Sequence, residues 1–296
     1  MKKIDIHCHV AALPQYQNPD NPYNNLSAEE FIKEHDRLDV DFGVILPIVS
    51  PECMSGTGSN FLAKLVTDRF PERFTWFCNL VPRGGRNNSK TDFSRTLNHY
   101  KNLGAKGVGE LTAGLYADDP MMDNLFRHCA ECDMPVLIHI APQLGGAYGI
   151  VDDLGLPRIE KMLKKHPDLR LIGHSMCFWS EISAENTNET RNKYPVGKVK
   201  EGRLAELMRE YGNLYCDLSA GSGSNAMMRD PEYAAEFMAE FSDRIYYGTD
   251  ICYAGQTFQY KFDEFLTKMV DEEMLSQDDY KKIIRQNAAK LLGIED

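Results

Sequence analysis

Short apolar runs rich in β-branched or aromatic residues recur along the chain, and each is followed by a turn and then by a stretch with helical periodicity. Eight such runs are predicted as strands, at residues 3–7, 42–48, 74–80, 106–111, 135–140, 169–174, 213–218 and 245–250. Helices are predicted between them, for example at residues 28–38, 61–70, 119–132, 158–166 and 204–211. Strands that alternate with helices in this way are typical of βα units around a parallel sheet.

Polar residues are placed at one end of these predicted strands. His7, His139, His174 and Asp250 each stand at the carboxyl end of a strand, and Glu110 stands near the end of another. In an open sheet these residues would be too far apart to share one site, whereas a closed barrel brings its strand ends together around one axis. We therefore predict an α/β fold, a (β/α)8 TIM barrel that forms a single domain over residues 1–296.

Three long loops are predicted on the C-terminal face of this barrel, at residues 11–27, 50–60 and 183–201. The third follows the sixth strand and holds several Asn and charged residues, so we expect a loop or lid there. Substrate recognition is expected in these loops, because barrel enzymes carry their specificity on the βα connections.

Composition narrows the class of protein. An apolar share of 43% and a charged share of 26% are ordinary for a soluble globular protein. The net charge of −11 disfavours nucleic acid as a partner, since phosphate binding needs a surplus of Lys and Arg. No apolar stretch has the length of a membrane span or a signal peptide. We expect a cytoplasmic enzyme that acts on a small molecule and has no membrane partner. The chain could also form a homo-oligomer.

Ile4 to His9 place two imidazoles two residues apart, and on an extended strand such residues share a face, so His7 and His9 can reach one ion. His139 and His174 each close an apolar run, where an unpartnered imidazole is costly to bury. Taken singly, these could be a structural pair and satisfied core histidines, and Asp250 could be a helix N-cap. Together they supply the nitrogen and oxygen ligands that zinc and similar divalent ions prefer.

Other residues of metal-binding type have plainer explanations. Eight cysteines without disulfide-like spacing indicate a reduced setting. Cys129 and Cys132 form a C-x-x-C near the end of a predicted helix, where buried small hydrophobic residues are expected rather than a redox or zinc site. Solvated or helix-terminal roles are expected for the histidines in helical segments, which are His35, His99, His128 and His166.

The ordered motifs resemble those of the amidohydrolase superfamily, in particular the branch that includes aminocarboxymuconate-semialdehyde decarboxylase. The resemblance runs almost from end to end and rests on IDIHCHV at the start, PVLIH, LRLIGH, RIYYGTD and, near the C-terminus, QNAAKLLG. It implies that a divalent metal ion, zinc first and manganese second, is bound by His7, His9, His139 and Asp250. It also implies that His174 acts as acid/base or orients the attacking water.

Glu110 departs from the pattern of the decarboxylases, because it stands where the binuclear members of the superfamily carry a bridging ligand. If it bridges two ions, His139 and His174 belong to the second ion and His7, His9 and Asp250 to the first; if it does not, it is an outer hydrogen-bond acceptor or a helix cap. A role at the metal is favoured for Glu110. One or two ions per chain are therefore expected. Trp179 is a candidate pocket wall, and a Gly/Ser loop predicted at 219–225 could offer backbone N–H groups to an anion.

Three functions are compatible with these residues. The leading prediction is hydrolysis of a small organic substrate by metal-activated water, with Asp250 moving a proton and His174 assisting. The alternative is non-oxidative decarboxylation of an unsaturated or aromatic carboxylic acid, and the third is a barrel that binds metal without catalysis. The two catalytic reactions differ in whether an Arg or a second ion lies beside the site, which the sequence does not decide.

Overall fold

The computed structural model describes residues 1–11, 26–49, 58–253 and 255–295. Among these residues lie ten strands: β1 Lys3–Cys8, β2 Val40–Ile45, β3 Phe74–Trp76, β4 Val108–Leu111, β5 Ala113–Tyr116, β6 Val136–Ala141, β7 Gly149–Val151, β8 Leu171–His174, β9 Leu214–Asp217 and β10 Ile245–Tyr246. Every predicted strand overlaps one of them. The two that were not predicted, β5 and β7, are short, contain glycine and pair with each other in parallel, and β7 also pairs with β6.

All described strand pairs are parallel. One sheet has the order β1-β2-β3, and the other has the order β10-β9-β8-β6-β7-β5 with β4 also paired to β6. Hydrogen bonds join the two sheets at both edges: Cys78 bridges to Val108 next to β3 and β4, and Ile6 N donates to Tyr247 O at 3.0 Å next to β1 and β10. The eight predicted strands therefore form the ring of a (β/α)8 barrel, as expected.

The helices are α1 Ala28–Arg37, α2 Asn60–Arg69, α3 Ser94–Asn102, α4 Pro120–Glu131, α5 Pro157–Lys165, α6 Met176–Trp179, α7 Arg203–Glu210, α8 Ala220–Met228, α9 Pro231–Phe241, α10 Phe258–Asp271, α11 Gln277–Lys281 and α12 Asn287–Leu292. Their ends follow the sequence signals. Ser27 and Glu30 form a capping box at the start of α1, and Asp119 caps α4 by accepting from Met121 N at 2.8 Å. None of the described helices is long and apolar enough to cross a membrane.

The interior of the barrel has an apolar layer beneath a polar one. Leu137, Ile172 and Tyr215 belong to an inner cluster that joins residues of most strands with α12. Two residues further along the same strands stand His139, His174 and Asp217, which face the same way because the side-chain period of a strand is two. On β1 the pairing with β2 shifts register between Asp5 and Cys8, next to His7. The strand ends thus turn imidazoles and carboxylates towards the barrel axis.

One predicted loop is a helix in the structure, and another has neither helix nor strand. The stretch at 219–225 was expected as a Gly/Ser loop, but it forms most of α8; burial of Ser222, Ala226 and Met227 offsets the weak helix propensity of Gly and Ser. Residues 183–201, called the lid below, have no helix or strand and are joined at their ends by a bridge between Ser183 and Glu201. The loops predicted at 11–27 and 50–60 lie mostly outside the described residues.

Candidate metal centre

His7 and His9 lie side by side at the end of β1, with 3.0 Å between their Nε2 atoms. The other ring nitrogen of each imidazole faces an acceptor: His9 Nδ1 lies 3.0 Å from Leu46 O, and His7 Nδ1 lies 2.6 Å from Asp217 Oδ2. When both Nδ1 atoms donate, two Nε2 lone pairs point at each other across 3.0 Å. A cation between them would relieve that repulsion, and this arrangement is how metal-binding histidines are usually oriented.

Two carboxylates complete the group around these nitrogens. Glu110 Oε2 lies 3.6 Å from His7 Nε2 and 3.4 Å from His9 Nε2, and Asp250 Oδ1 lies at the same two distances. Ligand atoms about 2.0–2.2 Å from a common ion would be about 3–3.6 Å apart. Each carboxylate therefore fits a divalent ion shared with His7 and His9, and His7, His9, Glu110 and Asp250 are called the metal cluster below.

The charges of the metal cluster also favour a cation. Burial alone would lower the pKa of His7, but Asp250 and Asp217 raise it well above its usual value. Burial alone would raise the pKa of Glu110, whereas hydrogen bonds from the surrounding histidines hold it well below its usual value. An environment that stabilises both a protonated imidazole and an ionised carboxylate is one that also stabilises a positive ion.

The two remaining predicted histidines lie at the edge of the cluster. His139 Nδ1 is 2.8 Å from Glu110 Oε1, so Glu110 connects His139 to the pair on β1. His174 Nε2 is 3.9 Å from Asp250 Oδ2, and His174 has a ring nitrogen within 4.8 Å of ligand atoms of both His7 and Glu110. The structure brings together all six residues predicted for the site, and a direct metal bond from His139 stays a prediction.

Asp217, at the end of β9, was missed by the sequence reasoning. It is fully buried, and its Oδ2 accepts from Ser219 Oγ at 2.8 Å and lies 3.3 Å from His174 Nδ1. Burial alone would raise the pKa of Asp217, but His7 and His174 hold it well below its usual value. A single carboxylate thus orients the imidazoles of both β1 and β8. His174 was predicted from its position at a strand end, and the same signal could have identified Asp217.

Asp5 fixes the backbone beneath the cluster. Its Oδ1 accepts from the backbone N–H groups of His7 and Thr249, both at 2.9 Å, and its Oδ2 accepts from Thr249 Oγ1 at 2.5 Å and lies 3.0 Å from His35 Nε2. His35 is in the last turn of α1, as expected, but it is buried rather than solvated because it meets this carboxylate. Asp5 therefore ties the strand end that carries His7 to the one that carries Asp250.

Trp179 has a different environment from the one expected for a pocket wall. Only 2% of the residue is exposed, and its indole Nε1 donates to Asp217 O at 2.8 Å. The indole therefore supports the strand end that holds Asp217, and a contact with substrate stays a prediction. The described cysteines are all free, with Cys129 and Cys132 buried in the core as expected of small hydrophobic residues.

Solved structures with the same fold cover almost the whole chain. A TIM-barrel protein from Bordetella bronchiseptica shares 17% identity over 99% of both chains with a TM-score of 0.66. A 2,6-dihydroxybenzoate decarboxylase from Rhizobium shares 14% identity over 99% of this chain and 98% of that one, with a TM-score of 0.62. A 5-carboxyvanillate decarboxylase from Novosphingobium aromaticivorans, complexed with manganese and a nitrobenzoic acid, shares 17% identity over 99% and 96%, with a TM-score of 0.63.

At these identities the likeness establishes the fold. A comparison with curated protein sequences finds no match. A family model described as amidohydrolase matches residues 4–294, which include every residue of the metal cluster. Members of this family bind divalent metal, which agrees with the cluster of ligand-type side chains at the strand ends. The chain belongs to the amidohydrolase family.

Proposed function

We propose that this protein is a metal-dependent decarboxylase that removes CO₂ from a small unsaturated or aromatic carboxylic acid. The observation that carries the proposal is the placement of His174. Its Nδ1 lies 3.0 Å from Ser219 Oγ and 3.3 Å from Asp217 Oδ2, while its Nε2 faces Asp250 at the cluster. A ring held on one side by a buried acceptor can deliver a proton from its other nitrogen.

His7, His9, Glu110 and Asp250 would hold the ion. When bound, a divalent ion would orient the substrate oxygens and draw electron density from them. Zinc suits the mixed nitrogen and oxygen ligands, and the manganese complex of the 5-carboxyvanillate decarboxylase supports manganese as well.

In the proposed reaction this chain delivers a proton and holds the proton donor in place. The bond between the carboxylate carbon and its neighbour breaks, and its electron pair stays on the neighbouring carbon as CO₂ leaves. His174 Nε2 then gives its proton to that carbon, and solvent restores the proton. Asp217 keeps the ring in its orientation, since its carboxylate is fully buried beside it.

Two further observations support decarboxylation. Two of the solved structures described above are decarboxylases of hydroxylated benzoates. In this chain Tyr148 is 47% exposed and its ring lies 4.4 Å from that of His139, at a tilt of 41°. An exposed aromatic ring beside the cluster suits a planar substrate, because aromatic pairs are stabilised at such separations.

Hydrolysis remains the second candidate because of Glu110. One oxygen of its carboxylate faces the two histidines of β1, and the other oxygen lies 2.8 Å from His139. A carboxylate in this position can be shared by two ions, which would hold and activate a water molecule. A two-ion site would therefore favour hydrolysis over decarboxylation.

The deciding experiment combines metal content with product analysis. Protein purified without chelator would be assayed for ions per chain, and then for CO₂ release from 2,6-dihydroxybenzoate, 5-carboxyvanillate and non-aromatic unsaturated acids. We expect one ion per chain and CO₂ release that falls about 10²- to 10⁴-fold in His174→Gln at unchanged metal content. His99→Gln, at an exposed position on α3, is the matched control.

Two outcomes would contradict the proposal. Two ions per chain, together with cleavage of lactones or amides and no CO₂ release, would establish hydrolysis instead. If the protein takes up no ion after incubation with zinc or manganese, it has no metal centre, and both candidate functions fail.

A further inference from the structure

A cavity lies beside the metal centre, between α6, α8 and the lid. Its free volume is about 10 Å³, room for about one water molecule. Met176 and Trp179 of α6 form one wall, Ser222 and Asn225 of α8 form another, and lid residues 193–195 cover them. The space is narrow, because the Tyr194 hydroxyl packs closely over Gly221. A ligand larger than a few atoms must therefore displace this part of the lid.

Two polar atoms at this cavity are buried without a hydrogen-bond partner. Ser222 is 5% exposed and its Oγ has no partner, and the same holds for Nε of Arg229, which is itself partly exposed at the far end of α8. An unsatisfied buried polar group costs about 1–3 kcal/mol. Both atoms can donate a hydrogen bond, so an acceptor in the cavity would recover that free energy.

The walls of the cavity carry one sign of charge. Lys193 from the lid and Arg229 from α8 line it, and its lining residues include neither Asp nor Glu. Near Arg229 the acidic residues are Asp230 and Glu185, neither of which lines the cavity. Two cations and free donors at one small space, in a chain with a net charge of −11, favour an anion there.

The cavity begins next to the proposed proton donor. Met176 is two residues beyond His174, and Ser222 is three residues beyond Ser219, whose Oγ lies 3.0 Å from His174 Nδ1. The cavity is thus lined by residues that closely follow His174 and Ser219 in the chain, and its two cations come from the lid and from the end of α8.

On the basis of the proposed function, we propose that this cavity binds a second anionic group of the substrate, so that the substrate is a dicarboxylic acid or a similar dianion. One carboxylate would lie at the metal cluster and the other would accept hydrogen bonds from Ser222, Arg229 and Lys193. The lid residues 193–195 close over the second group once it is bound.

Binding of inert saturated acids to the metal-loaded protein tests this. Adipate carries a second carboxylate, and hexanoate has the same chain length without it. Binding is followed by calorimetry and by the fluorescence of Trp179, which lines the cavity. We expect adipate to bind about tenfold more tightly than hexanoate, the effect of one charge-assisted contact. Glutarate and pimelate then report the distance between the two anion positions.

The variants locate the effect. Arg229→Gln should reduce adipate binding to the level of hexanoate, and Arg229→Lys should restore part of it. Arg95→Gln is the matched control, because Arg95 is exposed on α3 and does not line the cavity. Thermal melts of all variants confirm folding, and Ser222→Ala gives a second variant that leaves the charge intact.

The outcomes separate this inference from the proposed function. Equal binding of adipate and hexanoate to the wild type, or a preference for adipate that survives in Arg229→Gln, overturns the cavity as an anion site. If monocarboxylates are decarboxylated without any preference for diacids, the proposed function stands alone. If the preference for diacids depends on Arg229 but no acid loses CO₂, the anion site stands and the decarboxylase proposal fails.

Discussion

The metal cluster and the cavity beneath the lid lie next to each other, yet their polar atoms differ in whether they have hydrogen-bond partners. At the cluster, the orienting atoms are all paired: Asp5, Asp217 and Ser219 hold the imidazoles and the backbone in place. At the cavity, Ser222 Oγ and Arg229 Nε are buried and unpaired. The first region is preorganised by the protein itself, whereas the second has donors that only an added molecule would satisfy.

The largest effect should come from removing two ligands of the cluster. His7→Ala/His9→Ala leaves the buried Glu110 and the partly exposed Asp250 without imidazole partners, so we expect loss of the bound ion and of activity. The loss of metal affinity should exceed the roughly 10- to 100-fold cost of losing an outer hydrogen-bond partner. Elemental analysis measures it, with His99→Ala as the control. Retention of a full ion in the double variant would contradict the proposed ligand set.

Asp217→Asn should break the orientation of the cluster without removing a ligand. Both oxygens of Asp217 accept, Oδ1 from Ser219 N and Oδ2 on the side of the imidazoles, and the amide would put an NH₂ donor in place of one of them, so metal affinity should fall about 10- to 100-fold. Competition with a chelator of known affinity measures the change, and Asp168→Asn, at an exposed position, is the comparison. An unchanged affinity would show that Asp217 orients nothing that the metal requires.

Thr249→Val tests the support provided by Asp5. Valine fills the same volume but cannot donate to Asp5 Oδ2, which would lose one of its hydrogen bonds in a fully buried place. The free energy of unfolding should fall by about 1–3 kcal/mol. Denaturant unfolding measures it against Thr267→Val, at an exposed position on α10. Equal stability of the two variants would show that the hydrogen bond from Thr249 to Asp5 does not stabilise the fold.

The smallest effects are expected from two serines, one at the metal cluster and one at the cavity. Ser219→Ala removes a hydroxyl bonded to Asp217 and should cost about 1 kcal/mol of stability. Ser222→Ala removes a hydroxyl that has no partner and should change stability by no more than about 0.5 kcal/mol, with helix propensity favouring alanine. Denaturant unfolding of both variants decides it. A larger loss in Ser222→Ala would mean that its hydroxyl is already satisfied in the free protein.

The barrel and most of its site could be predicted because each depends on a short-range pattern. A strand with an apolar inner face continues that face to its last residue, which is how His139 and His174 were found. Asp217 has the same position on β9, but the predicted strand ran on to Leu218 and concealed it. The parallel pair β5 and β7 was missed because three or four residues with glycine have no detectable period.

What the sequence alone determined is the alternation of strands and helices, the face of each strand that turns inward, and the group of His, Asp and Glu residues that meets there. What only the tertiary structure decided is how distant segments complete that group. The contact between Asp5 and Thr249 spans 244 positions, and α8 is helical because its small residues are buried against the lid and α6. Periodicity reports the few residues around a position, whereas burial and long-range hydrogen bonds depend on which segments the closed barrel brings together.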